Sequence, residues 1–304
     1  MTFVRIDGIP HHLRIDGAGP VCLLSAGLGM SWFDWDPVVP LLAPYRTVVR
    51  FDRPGLGLSA PAPARAWPTL TGEAHRIARV LDAAGVRTPA TVVGHSLAGF
   101  HCEAFARLYP GRTAGLVLVD SSVEEEPRPS RAPALRNTAT RACGTLLAGA
   151  GLPRALGPLL RRTAVRAARH HGGDPTPYDP APHDLVRRAY STSRSLRAAL
   201  AENATYRDQA VALVGLRERP LPEDVPVTVL AAGANPGRDG PRHWLDHQER
   251  LAERLGATFR VSAPAGHLVM LDRPQDVAAA IMNPPNGPVR PSPAGQEEER
   301  THRR

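Results

Sequence analysis

The stretch Gly94-His95-Ser96-Leu97-Ala98-Gly99 constrains this chain more than any other. An apolar, β-branched run, Ala90-Thr91-Val92-Val93, precedes it, and residues 97–109 follow with helical patterning. A strand must therefore pass into a helix with almost no connecting chain. Only small residues fit beside so tight a turn, and Gly94 on one side with the Ala98/Gly99 pair on the other let backbone segments approach. With Ala98 in place of the second glycine, this is close to the Gly-x-Ser-x-Gly pattern of a nucleophile elbow, which pushes the Ser96 hydroxyl out at the strand end and aims the Leu97 N–H at whatever the serine attacks. A serine hydroxyl is a weak nucleophile near neutral pH, so the pattern has chemical meaning only with a base and an oxyanion site nearby.

Short apolar runs alternate with helical stretches through the first 120 residues. Pro20-Val21-Cys22-Leu23-Leu24, Thr47-Val48-Val49-Arg50-Phe51, Ala90-Thr91-Val92-Val93 and Gly115-Leu116-Val117-Leu118-Val119 read as buried strands. Between them, residues 73–84 carry Ala74, Ile77, Ala78, Leu81 and Ala84 at helical spacing, and Gly85 supplies a stop. This alternation predicts a parallel sheet covered by helices on both faces, with ligands bound beyond the C-terminal strand ends. Residues 123–222 contain no convincing strand. Helical runs at 185–200 and 202–216, with Gly172-Gly173-Asp174-Pro175 as a loop, predict a helical insertion. The sheet resumes with Val225-Pro226-Val227-Thr228-Val229-Leu230, followed by a helix at 241–255, a strand at 258–261 and a last helix at 275–282. The expected organisation is a core of residues 1–122 and 223–283, a helical cap at 123–222, and a Pro/Gly/Glu/Arg-rich tail at 284–304 expected to be disordered.

His267 is the best candidate base. Its small-residue loop, Ser262-Ala263-Pro264-Ala265-Gly266-His267, follows the final strand, which puts the imidazole at the same sheet edge as Ser96. The other histidines are less suitably placed, and His95, although next to the serine, reads as a packing residue. The carboxylate that would orient the imidazole has two candidate positions. Asp120 directly follows the Gly115–Val119 run and so lies at the C-terminal edge. Asp239 comes several residues late in the loop after the Val227–Leu230 run. Asp120 is preferred over Asp239, with Glu124 a distant third. The second oxyanion donor is assigned to Leu28 N–H, in the glycine-bearing loop Ser25-Ala26-Gly27-Leu28-Gly29, alongside Leu97 N–H.

Together these motifs resemble the α/β-hydrolase superfamily over nearly the whole chain before the tail. The elbow is one match. Asp52-Arg53-Pro54-Gly55-Leu56-Gly57-Leu58-Ser59 is similar to the family's loop after the fourth strand. Gly266-His267 with Pro274 downstream resembles its histidine loop, and residues 23–29 occupy the oxyanion-loop position. The resemblance implies an eight-stranded, mostly parallel sheet with a helical cap. Two departures stand out: Ala26 replaces a frequent histidine, and Pro236 occupies the usual acid position after strand seven. Some members place the acid after strand six, where Asp120 falls. Serine at position 96 argues against the epoxide hydrolases and haloalkane dehalogenases of the superfamily, which use aspartate there, and the absence of lysine argues against plant-type hydroxynitrile lyases.

Composition narrows the expectations further. The net charge of +8 suggests nucleic acid at first, but all 37 basic residues are arginines, spread among acidic ones without a recognisable binding module, so no nucleic-acid partner is expected. No apolar run is long enough to span a bilayer and the N-terminus lacks an apolar signal core, so neither a membrane partner nor export is expected, and the predicted location is cytoplasmic. Cys22, Cys102 and Cys143 are widely spaced, so neither a disulfide framework nor a metal site is expected, and no organic cofactor is implied. Arg161, Arg162, Arg166 and Arg169 read as a solvated face rather than an anion site. The leading expectation is a serine hydrolase acting on a small carboxylic ester, lactone or thioester through an acyl-enzyme. The alternatives are a non-catalytic ligand-binding protein of the same fold, and acyl transfer or perhydrolysis on the same residues.

Overall fold

Alternation along the central strands decides the layering. Successive strand residues point to opposite faces, and here both faces are apolar. Leu23, Val49, Val92, Leu116, Leu118 and Val229 join one hydrophobic cluster, while Cys22, Leu24, Val48, Val93, Val117 and Leu230 join another. A sheet apolar on both sides must be covered on both sides. In the computed structural model, which describes residues 2–170, 179–234 and 240–283, the strands are β1 (Thr2–Ile6), β2 (Ile9–Asp16), β3 (Val21–Ser25), β4 (Thr47–Phe51), β5 (Ala90–His95), β6 (Thr113–Val119), β7 (Val227–Ala232) and β8 (Thr258–Ser262). They form one eight-stranded sheet in the order β1-β2-β4-β3-β5-β6-β7-β8. The pairings β1/β2 and β2/β4 are antiparallel and the remainder parallel.

The helices are α1 (Val39–Leu42), α2 (Leu70–Ala83), α3 (Leu97–Leu108), α4 (Pro133–Gly149), α5 (Leu152–Ala168), α6 (His183–Tyr190), α7 (Ser193–Leu216), α8 (Pro241–Leu255), α9 (Val269–Asp272) and α10 (Pro274–Met282). Residues of α2, α3 and α8 pack in the first cluster, and those of α1, α9 and α10 in the second. The four helices α4 to α7 lie between β6 and β7, where the sequence has no strand pattern.

Two local readings change. The opening hairpin of β1 and β2 is absent from the strands read in the sequence, although Asp7-Gly8 signals it: both residues take positive φ (52° and 77°), as a two-residue turn of right-twisted strands requires. The long helical patch does not divide near residue 201. It divides at Ser191-Thr192, where the Thr192 hydroxyl accepts from Ser195 N at 3.3 Å and starts α7 as an N-cap. The Ala201-Glu202 region continues as helix because nothing there interrupts the backbone ladder.

The C-terminal half of α7 packs against the core. Ala210 and Leu213 belong to the first cluster, and His101 of α3 bonds Gln209 at 2.8 Å. At its end, Arg217 donates to both oxygens of Glu103 (2.9 and 2.8 Å), which also accepts from Arg107 (2.9 Å). Glu103 is 1% exposed. Removing this carboxylate strands two guanidiniums, and buried charges without partners are strongly unfavourable. Glu103→Ala is expected to lower unfolding free energy by about 3 kcal/mol in urea titrations. Unchanged stability would contradict this role for Glu103.

Candidate active site

Ser96 sits between β5 and α3 with φ 52° and ψ −125°, a conformation L-residues seldom adopt. The strain is held by hydrogen bonds on both sides. Ser96 N donates to Val119 O at 3.2 Å, and Ser96 O accepts from Gly99 N (2.9 Å) and Ser122 N (3.1 Å). The flanking glycines are there for space. A Cβ on Gly94 would lie 2.4 Å from Ala98 O, and one on Gly99 2.0 Å from the Ser121 hydroxyl. Neither the Leu97 nor the Leu28 amide donates to another described residue. Both predicted oxyanion donors are therefore unspent.

Asp120 extends β6 by one residue and takes φ 41°. Its backbone is fixed by donation to Leu230 O at 2.7 Å. The carboxylate is fully buried. One oxygen accepts from Ala232 N (2.9 Å) and from the Trp244 indole (2.7 Å); the other lies 2.6 Å from His267 Nδ1. A carboxylate there requires the proton on Nδ1, which leaves Nε2 as an acceptor. His267 is partly exposed, with 29% of its side chain accessible. Ser96 and His267 share this rim without a direct hydrogen bond; such contacts are commonly long before substrate binds and tighten in the complex. Asp239, the rival acid, lies outside the described residues.

The histidine loop is anchored from two directions. His95 Nε2 donates to His267 O at 2.9 Å, and the two rings are 4.6 Å apart. His95 is thus a packing residue, as its position predicts. Burial, reinforced by the neighbouring His267, pushes its pKa well below the ordinary histidine value, so it stays neutral. On the other side, Gly266 N and His170 N both donate to Asp272, which also pairs with Arg169 at the end of α5 (2.7 Å). A cleft of about 350 Å³ opens beside His267, walled by Ala164, Ala167 and Ala168 of α5.

The sequence does not disclose how the loop after β3, which carries Leu28, is held. Arg53, 3% exposed, donates to Ala26 O and Gly27 O and pairs with Glu202 of α7 at 2.6 Å. The second Glu202 oxygen accepts from Gly29 N at 2.9 Å. Leu28 is therefore bracketed by residues tied to one buried ion pair between core and insertion. The Asp52-Arg53-Pro54-Gly55 motif is visible in the sequence, but its distant partner is not. Trp244 on α8 likewise gave no signal. One reading needs correcting. Arg161 is no part of a solvated face: it is 7% exposed and pairs with buried Asp34, because α5 lies against the turn after β3. Burial pushes the Asp34 carboxyl up to about 6 despite that partner.

Comparison with known proteins agrees with this architecture. The family described as "Alpha/beta hydrolase family" matches residues 22–280. A protein of Azorhizobium caulinodans named "Putative carbamate hydrolase RutD" is 37% identical over 110 residues, covering 36% of this chain and 40% of that protein. The chain thus aligns with under half the length of this relative. A protein of the same name from Caulobacter sp. (strain K31) is 27% identical over 290 residues, covering 91% of this chain and 96% of its own. Among solved structures, Cfl2 from Burkholderia cenocepacia superposes with a TM-score of 0.69 at 24% identity, covering 92% of this chain and 93% of that one, a likeness of fold. Among the described residues there is no helix long and apolar enough to cross a membrane and no metal-type cluster.

The neutral, buried His95 has a consequence for stability. Its folded pKa is depressed, so below about pH 6.5 the unfolded chain takes up a proton that the folded chain refuses, and stability falls as pH falls. His95→Gln, which keeps a donor for His267 O, is expected to flatten the stability profile between pH 6.5 and 5 by about 1.4 kcal/mol per pH unit. Urea titrations at several pH values measure this; identical slopes in both proteins would refute it.

Proposed function

Because this chain belongs to the alpha/beta hydrolase family, we propose that it is a serine hydrolase that cleaves a small carboxylic ester, lactone or thioester. The observation that carries the proposal is the 2.6 Å contact between His267 Nδ1 and the buried Asp120 carboxylate, at the rim where Ser96 is held in a strained turn. Ser96 Oγ attacks the acyl carbon and its proton passes to His267 Nε2. The amides of Leu28 and Leu97 stabilise the oxyanion. Collapse expels the alcohol or thiol, which takes the proton from His267, and leaves the acyl group on Ser96. Water then attacks the acyl carbon, His267 accepts its proton, and the acid leaves as Ser96 regains a hydrogen. Asp120 stabilises the imidazolium at both stages and keeps the ring in one tautomer.

The name carried by the Azorhizobium and Caulobacter relatives extends the candidate substrates to carbamates, whose carbonyl is open to the same attack.

Turnover of p-nitrophenyl acetate and butyrate, a lactone, a thioester and a carbamate tests the proposal. Ser96→Ala is expected to lower kcat by about 10⁴-fold or more, and Asp120→Asn by about 10³- to 10⁴-fold. Equal turnover by wild type and Ser96→Ala would overturn it. No turnover across the panel would instead favour a ligand-binding protein, and ester products formed with an added alcohol would favour acyl transfer. Loss of activity in Asp239→Asn but not Asp120→Asn would reassign the acid.

A further inference from the structure

A second cavity, of about 490 Å³, lies between the loop after β4 and the helices α4 and α7. Its volume falls within the range of small-molecule sites. Neither Ser96, Asp120 nor His267 lines it. Helix α7 divides it from the oxyanion loop: positions 194, 197, 198 and 201 line the cavity, while Glu202 on the adjacent face reaches Gly29. One wall is apolar and stiff, built by Pro61, Pro63 and Trp67.

The other wall is cationic. Arg141 of α4 and Arg194 and Arg197 of α7 all line the space. Arg141 stands 5.1 Å from the centroid of the Trp67 ring, and the stem of Arg197 lies against Gly144. Arg194 donates to Gly57 O at 2.7 Å, but its Nε is buried with no hydrogen-bond partner. Among the described residues none of the three forms an ion pair. The better-buried arginines of the same insertion differ: Arg161 pairs with Asp34, Arg169 with Asp272 and Arg217 with Glu103. Three arginines therefore line one cavity whose lining carries no carboxylate. Guanidiniums suit carboxylate and phosphate oxygens in forked geometry, so this lining favours an anion.

We propose that this cavity is a binding site for an amphiphilic organic anion, with its carboxylate or phosphate held by Arg141, Arg194 and Arg197 and its apolar body against the proline–tryptophan wall. The site is separate from the Ser96 rim and does not depend on the chemistry there. Its occupant braces α7, the helix that also carries Glu202.

Calorimetric titration of the full chain with octyl phosphate, octanoate and neutral octyl glucoside tests this. One equivalent of octyl phosphate or octanoate is expected to bind, more weakly as salt rises, while octyl glucoside binds at least about tenfold more weakly; the tighter of the two anions identifies the headgroup. Arg141→Gln/Arg197→Gln, both at accessible side chains, is expected to weaken the anion at least about tenfold with the circular-dichroism spectrum unchanged. Ser96→Ala is expected to bind as wild type does. Should the double variant misfold, Arg141→Gln alone is expected to weaken binding severalfold. Absent anion binding, equal binding of octyl glucoside, or unaltered affinity in the folded arginine variants would each overturn the proposal.

Discussion

The buried carboxylate of Asp120 is the point on which the site depends. It is fully enclosed, and an enclosed charge persists only where donors surround it. Among the described residues, donors to it come from three separated parts of the chain: Ala232 at the end of β7, Trp244 on α8 and His267 in the loop after β8. The electrostatic demand of one side chain thus draws together the last third of the fold at the edge where β5 delivers Ser96. Asp120 N in turn bonds Leu230 O, and Ser96 N bonds Val119 O, so the parallel ladder sets the spacing of both residues.

Around that centre, the helical insertion is fastened to the core by buried charge rather than by apolar contact alone. Arg53–Glu202 grips the loop after β3, Arg161–Asp34 grips the turn that follows, and Arg169–Asp272 grips the loop that carries His267. Pairs of this kind are poor sources of net stability, because desolvation offsets much of their attraction. Their value lies in geometry: each has few satisfactory arrangements, so the segments bearing Leu28 and His267 are held in register with the insertion.

How much of this the sequence discloses depends on whether a feature is local. The elbow is legible because the strand, the serine and the small residues are contiguous. Asp120 is legible because it immediately follows an apolar run, and His267 because a small-residue loop follows the last strand. The Asp7-Gly8 hairpin is marked only by its two turn residues. The break at Thr192 is obscured because helical periodicity runs almost unbroken across it, and only the capping hydroxyl marks the boundary. Arg161 read as solvated because nothing adjacent to it reports Asp34, 127 residues away. Glu202 and Trp244 were invisible for the same reason: their roles come from partners distant in the chain. In the sequence Asp239 competes with Asp120 as the acid, because it falls in the loop that follows the Val227–Leu230 run.

The claim with most resting on it is that Asp120 poises His267 to activate Ser96. The rate of labelling by a fluorophosphonate, with the adduct mapped by mass spectrometry in wild type and Asp120→Asn, tests it most directly. The account predicts a single adduct on Ser96 that forms at least about a hundredfold more slowly in the variant. An adduct on another residue, or equal labelling rates in the two proteins, would contradict it.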